Sequence, residues 1–507
     1  MEENLNFELD QQPVTEQPLT LPKRGKPIAL IVGAVLLCAA LVCGVVFAVF
    51  FASSPFEKTM HAVFPSMELF EELVGEGGNL LVSGELGNDL LGAELSSPIW
   101  FSATYAFSQD SDRKKGAFDA LQAEKIAALY RMALKNGAPV VGVFDSVGAI
   151  LGDGASAMAA YGTLLKAVSD ASGVIPQIAV IKGVCAGMAA TVAAMFDFAI
   201  AIKGTSEWFV NAPFLIGREV GSAEHTGETG LSSVVVKDES EALAMAARLV
   251  SILPANNEEG VVAEESTDDV NRATPEGLAD LDLIKTLADA GSFIEVGAGH
   301  APEMLAGIAV FGGVTCGVVA NCTAEKDGVI TAEGAKKAAR LVSFCDSFSI
   351  PVVTLVDSIG VEAGKEAENL PLASQLGKLA MAYAAANTAK ITVVVGKAYG
   401  AAFTLMGSKA LGADMVYALP KAEISVMAPS SAVAFLWNDR ITAELSRAEL
   451  EETWIRENAS PEAAASDGSI DDVIAPAELR QRICAAVYML MMKNSAQPSR
   501  RHCNLPL

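Results

Sequence analysis

The chain has few of the residues that metal sites and nucleophilic sites require. Its 507 residues include four histidines and eight cysteines, and no two cysteines form a Cys-x-x-Cys pair. A structural zinc site and a disulfide framework are therefore not expected. Basic residues are also scarce, 36 against 61 acidic ones, and the formal net charge is −25. This balance excludes the basic face that nucleic-acid binding needs.

A long uncharged stretch near the N-terminus stands out. Residues 28–52 carry no charge and follow a polar tail, 1–27. At about 1.5 Å per residue, a helix of this length crosses a hydrocarbon core of about 30 Å, so we predict one transmembrane helix. A secretory signal has a shorter apolar region, of about 7–15 residues. Lys23, Arg24 and Lys26 precede the stretch, and the positive-inside rule then places the rest of the chain outside the cytoplasm.

From about residue 96 onwards the sequence alternates apolar runs with amphipathic helical ones. The apolar runs include 138–145, 174–183, 350–357 and 389–397. Near-continuous apolar strands between helices indicate an α/β fold with both sheet faces covered. The polar, turn-rich stretch 254–277 is typical of a linker, here between domains at 96–253 and 278–507. Residues 53–95 form a connector of unknown role.

The two domains are copies of one another. PVVGVFDSVGAILGDG (139–154) aligns with PVVTLVDSIGVEAGKE (351–366). The matched positions are Asp145 with Asp357, Ser146 with Ser358, Gly148 with Gly360, Gly183 with Gly396, and Gly187 with Gly400. This pattern indicates a duplicated domain of roughly 200 residues, since short solenoid repeats have much smaller periods.

Each copy contains a turn of small residues, KGVCAGMAATV (182–192) and KAYGAAFTLMG (397–407). Each turn follows a strand and precedes a helix, so the backbone N–H groups at the helix start have no intrahelical acceptor. Small side chains let an oxygen atom approach these amides closely. Two such donors hold an oxyanion, and each is worth about 3–4 kcal/mol in a dry site. Two copies of the turn therefore predict two oxyanion sites.

Motifs covering about four-fifths of the chain resemble the biotin-dependent acyl-CoA carboxyltransferases. This group includes the carboxyltransferase subunits of propionyl- and acetyl-CoA carboxylases and of sodium-pumping decarboxylases. The motifs include YAFSQD (105–110), ASGVIPQIAVIKGVCAG (171–187), KKAARLVSFCDSFSIPVVTLVD (336–357), KAYGAAFTLMGSKALGAD (397–414) and NLPL (504–507). The resemblance implies tandem crotonase-like domains, which here lie behind the transmembrane helix.

The resemblance also implies a reaction. A carboxyl group moves between the α-carbon of an acyl-CoA and biotin, which a separate carrier protein brings and which acts as the base. No resident metal is implied. The backbone amides of Gly187 and Met188, or of their neighbours, are expected to stabilise one oxyanion, and those of Ala401 and Ala402 the other. The residues expected to line the acyl-CoA or biotin sites are Ala186, Ala189, Gly148, Ala149, Tyr399, Gly400 and Gly360.

The family further implies a homo-oligomer, a dimer or larger. In this homo-oligomer, the N-terminal half of one subunit is expected to face the C-terminal half of another. Two positions depart from the family pattern: Met188 stands where a second glycine is usual, and Ile150 stands where an arginine is common. The backbone amide survives at Met188, but its side chain narrows the pocket.

Acyl-CoA and biotin carriers occur in the cytoplasm, so we expect the catalytic domains there despite the positive-inside rule. Membership of a membrane acyl-CoA decarboxylase complex would explain the anchor. One alternative is a membrane-anchored signal-peptide-peptidase-like protease, which has the same layout and faces outward. Its serine nucleophile is missing from both turns. The other alternative is a catalytically inactive scaffold subunit.

Overall fold

The computed structural model describes residues 79–82, 90–96, 103–109, 111–112, 114–217, 219–261, 263, 266 and 268–493. The predicted polar tail 1–27 and transmembrane helix 28–52 lie outside these described residues. In the described part of the chain, no helix is both long enough and apolar enough to cross a membrane.

The first half of the chain builds an eight-stranded sheet in the order β1-β2-β3-β4-β5-β6-β8, with β7 beside β5. Its strands are β1 (Asn79–Val82), β2 (Leu90–Ser96), β3 (Ala103–Gln109), β4 (Val140–Ser146), β5 (Gln177–Ala186), β6 (Phe198–Ile202), β7 (Glu207–Phe209) and β8 (Val234–Val236). Its helices are α1 (Ala120–Asn136), α2 (Ala155–Ala171), α3 (Met188–Ala194), α4 (Pro213–Ile216), α5 (Ala223–Glu228) and α6 (Glu239–Ile252).

The second half builds another eight-stranded sheet, in the order β16-β14-β13-β12-β11-β10-β9, with β15 beside β13. Its strands are β9 (Ile294–Glu295), β10 (Met304–Phe311), β11 (Val314–Asn321), β12 (Val352–Ser358), β13 (Lys390–Tyr399), β14 (Met415–Ala418), β15 (Glu423–Ser425) and β16 (Asp472–Val473). Its helices are α7 (Asp280–Leu287), α8 (Ala332–Ser347), α9 (Lys365–Asn369), α10 (Leu372–Ala385), α11 (Ala401–Leu405), α12 (Pro429–Leu436), α13 (Arg447–Trp454), α14 (Pro461–Ser466) and α15 (Leu479–Leu490).

The two sheets have the same topology. In each, two antiparallel pairings open the sheet and parallel pairings follow, through β3-β4-β5-β6 and through β11-β12-β13-β14. A short extra strand, β7 or β15, pairs with the end of the central strand, β5 or β13. The predicted α/β fold and the predicted duplication are therefore confirmed.

The first sheet begins earlier than the sequence pattern indicated. Strands β1 and β2 lie at 79–82 and 90–96, inside or at the border of the stretch 53–95 that was predicted to be a connector. By topology, β2 is the counterpart of β10. The first domain therefore includes this hairpin, and its start lies before residue 96.

Local sequence signals set the helix limits. Helix α1 begins at a capping box, in which the Asp119 carboxylate accepts from the Gln122 amide and the Gln122 side chain accepts from the Asp119 amide. It ends at Gly137, whose φ of 60° suits a residue without a Cβ. Helix α8, its counterpart, begins with Thr331 as the capping residue. These caps fix the helices that cover the central strands.

Each sheet buries its own core, and the halves also contact each other directly. The ring of Phe344 on α8 packs edge-on against Phe198 of β6, with 4.9 Å between ring centroids. From the same helix, Arg340 donates to the backbone oxygen of Phe196 at 3.0 Å. The amide of Gly297 donates to the oxygen of Ser233 at 2.7 Å. Helix α8 is thus both a covering helix of the second sheet and a contact to the first.

The predicted linker is tied to the second half by a buried ion pair. Arg480 on α15 is fully buried, and its guanidinium lies 2.6 Å from a carboxylate oxygen of Asp289. The same guanidinium donates to the oxygens of Leu287 and of Asp269, a linker residue. Burial would raise the pKa of Asp289, but its hydrogen bonds, that from Arg480 foremost, hold the pKa below its usual range. The linker is therefore anchored through this pair.

We predict that Arg480→Met lowers the free energy of unfolding by about 3–5 kcal/mol, because it leaves a partly buried carboxylate without its charge partner. The folded-state pKa of Asp289 lies below its unfolded value. The stability that the ionised Asp289 contributes is therefore fully present above its pKa in the unfolded state. It is lost as the pH falls through its pKa in the folded state. Denaturant unfolding at several pH values should show the gap between wild type and variant closing in acid.

Arg482→Met is the matched control. Arg482 lies on the same helix, is 44% exposed, and has its carboxylate partners at 3.5 Å or more. We expect a change within about 0.5 kcal/mol. Equal effects of the two substitutions would contradict the role of the buried pair.

Candidate functional site

The two predicted turns occupy equivalent places in the two sheets. Strand β5 ends at Ala186, and Gly187, with a φ of 61°, connects it directly to helix α3. Strand β13 ends at Tyr399, and Gly400, with a φ of 55°, connects it to helix α11. A positive φ of this size is readily adopted by glycine alone. Neither glycine provides a side-chain cap, so the amides of each first helical turn have no side-chain acceptor.

The amide of each turn glycine is already used inside the protein. The Gly187 N–H donates to the carbonyl oxygen of Phe209 at 2.9 Å, and the Gly400 N–H donates to that of Ser425 at 2.8 Å. Phe209 and Ser425 end strands β7 and β15, which pair with β5 and β13. Contrary to the prediction, the Gly187 N–H is therefore not free for an oxyanion. The short extra strands hold the turns in place.

The amides that remain are those of the first two helical residues, Met188 and Ala189 in the first half and Ala401 and Ala402 in the second. The second pair is the one that the sequence indicated, whereas the first pair shifts by one residue. Ala189 and Ala402 are buried, while Met188 is 37% exposed. A methionine side chain thus borders one pair of amides where the other half has alanine.

A carboxylate braces the strand just before each turn. Asp145, near the end of β4, accepts from the Val184 N–H of β5 at 3.2 Å. Asp357, near the end of β12, accepts from the Lys397 N–H of β13 at 2.8 Å. The strand register shifts beside both aspartates, so each carboxylate replaces a ladder partner at a bulge. Sequence alignment of the halves matched these aspartates but assigned them no role.

The brace requires glycine opposite the carboxylate. A Cβ placed on Gly183 would lie 2.3 Å from a carboxylate oxygen of Asp145, and one on Gly396 would lie 2.1 Å from a carboxylate oxygen of Asp357. No side chain fits at either position unless the aspartate moves. This contact explains why the two glycines are matched in the repeat.

The loop after β4 lies against the first turn. The Ser146 hydroxyl accepts from the Gly148 N–H at 3.1 Å, which folds the loop back. A Cβ on Gly148 would lie 3.5 Å from the carbonyl oxygen of Ala186. Ala149 forms a single bridge with Phe118. The structure therefore places Gly148 close to Ala186, on the loop that also carries Ala149.

The second half repeats this arrangement. The Gly360 N–H donates to the Ser358 hydroxyl at 3.2 Å. A Cβ on Gly360 would lie 3.8 Å from the carbonyl oxygen of Tyr399. The predicted residues thus form two groups, one at each sheet.

Three ionisable side chains near the turns have a raised pKa. Burial raises the pKa of the Cys185 thiol, so a thiolate nucleophile is disfavoured there. Burial, followed by a hydrogen bond to Glu423, raises the pKa of the Tyr399 hydroxyl. Burial also raises the pKa of Asp357. A thiolate at Cys185 and a phenolate at Tyr399 are therefore disfavoured.

Other candidate groups contribute little. Of the lysines near the turns, Lys182 pairs with Glu239 at 2.9 Å and Lys409 pairs with Asp471. Among the residues that the structure describes, no three histidine, cysteine or carboxylate side chains are grouped so as to hold a metal ion.

Comparison with known proteins identifies close relatives. A family model described as the carboxyl transferase domain matches residues 102–505. The carboxyltransferase subunit of propionyl-CoA carboxylase from Haloferax mediterranei is 36% identical over 429 residues, which cover 80% of this chain and 83% of that protein. The alpha subunit of methylmalonyl-CoA decarboxylase from Veillonella parvula is 34% identical over 425 residues, covering 80% and 82%.

A solved structure shares the fold. The transcarboxylase 12S hexamer, with methylmalonyl-coenzyme A and methylmalonic acid bound, superimposes with a TM-score of 0.80 at 31% identity. The match covers 87% of this chain and 92% of that one. The predicted crotonase-like carboxyltransferase fold is thereby confirmed, and the alternative of a membrane-anchored protease is not favoured.

The close contact between each aspartate and the glycine opposite it can be tested through protein stability. We predict that Gly183→Ala and Gly396→Ala each lower the free energy of unfolding by about 1–3 kcal/mol, because the added methyl group collides with the carboxylate. Adding Asp357→Ala to Gly396→Ala should recover part of the loss, since it removes the colliding atoms. Thermal and denaturant unfolding of the single and double variants measure this.

Gly162→Ala serves as the control, since Gly162 lies in helix α2 and a Cβ there meets no atom within 4 Å. We expect it to be neutral or to add up to about 1 kcal/mol of stability. If Gly396→Ala behaved in the same way, the brace would not constrain the turn.

Proposed function

The chain belongs to the family of biotin-dependent acyl-CoA carboxyltransferases, and we propose that it moves a carboxyl group between the α-carbon of an acyl-CoA and biotin on a carrier protein. Members of this family act on biotin that a partner protein carries and use acyl-CoA substrates. The observation that carries the proposal is the duplicated turn, which opens a helix behind a left-handed glycine in both halves. The proposed reaction places negative charge on two oxygens, one on the thioester and one on biotin, and each turn would stabilise one of them.

In the first half, the amides of Met188 and Ala189 would stabilise the thioester oxygen. When the carboxyl group leaves the α-carbon, the electron pair of the broken bond spreads onto that oxygen. Two fixed N–H donors stabilise the resulting charge without reorganisation, which is worth about 2.7–4 kcal/mol for each donor removed. Gly148 and Ala149, on the adjacent loop, would line the bound acyl-CoA together with Ala186.

In the second half, the amides of Ala401 and Ala402 would bind the ureido oxygen of biotin. Biotin supplies the ureido nitrogen that exchanges the carboxyl group. Gly400 and the two alanines carry no side chain larger than a methyl group, so a planar urea can reach the backbone. Tyr399 and Gly360 would form the wall beside it. The absence of a side-chain nucleophile at either turn fits chemistry in which the substrates supply the reacting atoms.

We further propose that the working enzyme is a homo-oligomer in which each site combines the first half of one subunit with the second half of another. Directly beyond β7, helix α4 exposes Phe214 and Leu215, which are 83% and 71% exposed. Beyond β15, helix α12 exposes Phe435 and Leu436, 80% and 56% exposed. These equivalent apolar surfaces follow the strands that hold the turns, and large apolar patches of this kind mark interfaces. A monomeric full-length chain in sedimentation analysis would contradict this assembly.

The apolar segment 28–52 is proposed to attach the enzyme to a membrane, with the catalytic halves in the cytoplasm where acyl-CoA and carrier proteins are available. The similarity to a methylmalonyl-CoA decarboxylase subunit supports a place in a membrane decarboxylase complex. Protease added outside intact cells should leave the catalytic halves uncut; cleavage would place them on the other side.

The proposed chemistry is tested by removing single amide hydrogens. Ala401 is the first residue of helix α11, a position where proline is accepted by the helix but lacks an N–H group. We predict that Ala401→Pro and Met188→Pro each lower carboxyl transfer by about 10²–10³-fold. Full-length enzyme is assayed with biotin and with malonyl-, methylmalonyl- and glutaconyl-CoA.

Ala401→Ser and Met188→Gly keep the amide and serve as matched controls, and we expect them to retain most of the transfer activity. Wild-type-like rates in both proline variants would exclude the backbone amides as oxyanion donors. No transfer by folded wild-type enzyme with any of the three acyl-CoA substrates would favour an inactive scaffold.

A further inference from the structure

A buried tryptophan joins the short strand β7 to the helix that follows the first turn. Trp208, the middle residue of β7, is 2% exposed, and its indole N–H donates to the carbonyl oxygen of Ala190 at 3.0 Å. Ala190 is the third residue of helix α3. The tryptophan therefore contacts the helix directly after Met188 and Ala189, the pair whose amides the proposed function assigns to the thioester oxygen.

Strand β7 binds the chain on both sides of these two amides. Before the pair, the carbonyl oxygen of Phe209 accepts the Gly187 N–H at 2.9 Å. After the pair, the indole of Trp208 binds the carbonyl oxygen of Ala190. Two consecutive residues of one strand therefore fix the residue before the donor pair and the residue after it.

Trp208 is itself held firmly. It pairs with Cys185 in the parallel ladder between β5 and β7, and its backbone N–H donates to the oxygen of Gly221 at 2.7 Å. Helix α3, by contrast, has only seven residues. Isolated helices shorter than about 12–15 residues are marginal in water, so the direction of α3 must come from contacts with the rest of the protein. The indole hydrogen bond is one such contact, made from a rigid strand.

The second half lacks the equivalent contact. In strand register, Ile424 of β15 pairs with Ala398 as Trp208 pairs with Cys185, and an isoleucine side chain has no hydrogen-bond donor. Another tryptophan, Trp454 of α13, donates to the Ser425 hydroxyl at 3.2 Å and so contacts β15 and not helix α11. The link from an indole to the helix after the turn thus belongs to the first half, to which the proposed function assigns acyl-CoA.

We infer that Trp208 is a positioning residue for carboxyl transfer, a role that rests on the proposed function. Its indole N–H orients α3 so that the amides of Met188 and Ala189 meet the thioester oxygen when negative charge forms there. Donors stabilise such charge best when they are already in place, and a misplacement of about 1 Å is costly. Loss of the indole hydrogen bond therefore slows the chemical step and leaves substrate binding nearly unchanged.

Replacing Trp208 with benzothienylalanine tests this role, because sulfur takes the place of the indole N–H in a ring of nearly the same shape. The full-length enzyme is assayed with biotin and with whichever of malonyl-, methylmalonyl- and glutaconyl-CoA is transferred fastest. We expect kcat to fall about 3–10-fold, while KM for the acyl-CoA stays within about twofold. Amide hydrogen exchange in α3, measured by mass spectrometry, should become faster. Trp208→Phe, which also shrinks the ring, should lower kcat at least as much.

Tyr130→Phe is the matched control. Tyr130 is 1% exposed, and its hydroxyl donates to the Gln177 side-chain oxygen at 2.9 Å. Gln177 opens strand β5, at the end away from the turn. This variant also loses one buried hydrogen bond to the central strand and should lose thermal stability. Its kcat and the hydrogen exchange of α3 should match those of the wild type.

Unchanged kcat with benzothienylalanine at position 208, an equal fall of kcat in Tyr130→Phe, or a raised KM with unchanged kcat would each overturn the role of Trp208. No transfer by folded wild-type enzyme contradicts the proposed function instead. Hydrogen exchange then decides separately whether Trp208 holds the helix, since equal exchange of α3 with tryptophan and with the analogue would show that it does not.

Discussion

The contact between an aspartate and a glycine on the neighbouring strand underlies both candidate sites. In each half, the carboxylate of Asp145 or Asp357 replaces a ladder partner and accepts a backbone N–H three residues before the turn glycine. The carboxylate fits because Gly183 or Gly396 has no side chain. The bulge redirects the end of the central strand. The glycine turn and the helix that follows depend on that direction.

A second constraint acts from the other side of each turn. Strands β7 and β15 are three residues long, yet each accepts the hydrogen of the turn glycine through its last carbonyl oxygen. The N–H of the turn glycine is thereby used within the protein, and the next two residues open a helix that has no side-chain cap. This arrangement of strand, glycine turn, helix and short extra strand is present in both halves. The two copies differ mainly where substrates would contact them, with Met188 in one copy and Ala401 in the other.

Much of this arrangement was predictable from the sequence, because duplication doubles each signal. The strand, turn and helix around Gly187 recur around Gly400, and a coincidence of that length is rare. The bracing contact was not predictable, since it joins residues 39 or 40 positions apart and depends on strand register. Strands β1 and β2 were missed because their apolar runs are short, and strand formation there relies on pairing within the sheet. The engaged Gly187 amide was missed for a similar reason, as its acceptor lies on a separate strand.

The proposed function requires the two turns to act together in one site that two subunits share. Mixing Met188→Pro enzyme with Ala401→Pro enzyme under conditions that exchange subunits tests this most directly. In a mixed dimer, one site collects both defects and the other collects neither, so random mixing should restore about a quarter of the wild-type rate of carboxyl transfer. No recovery after verified subunit exchange would contradict the account, because it would mean that each site draws both turns from a single chain.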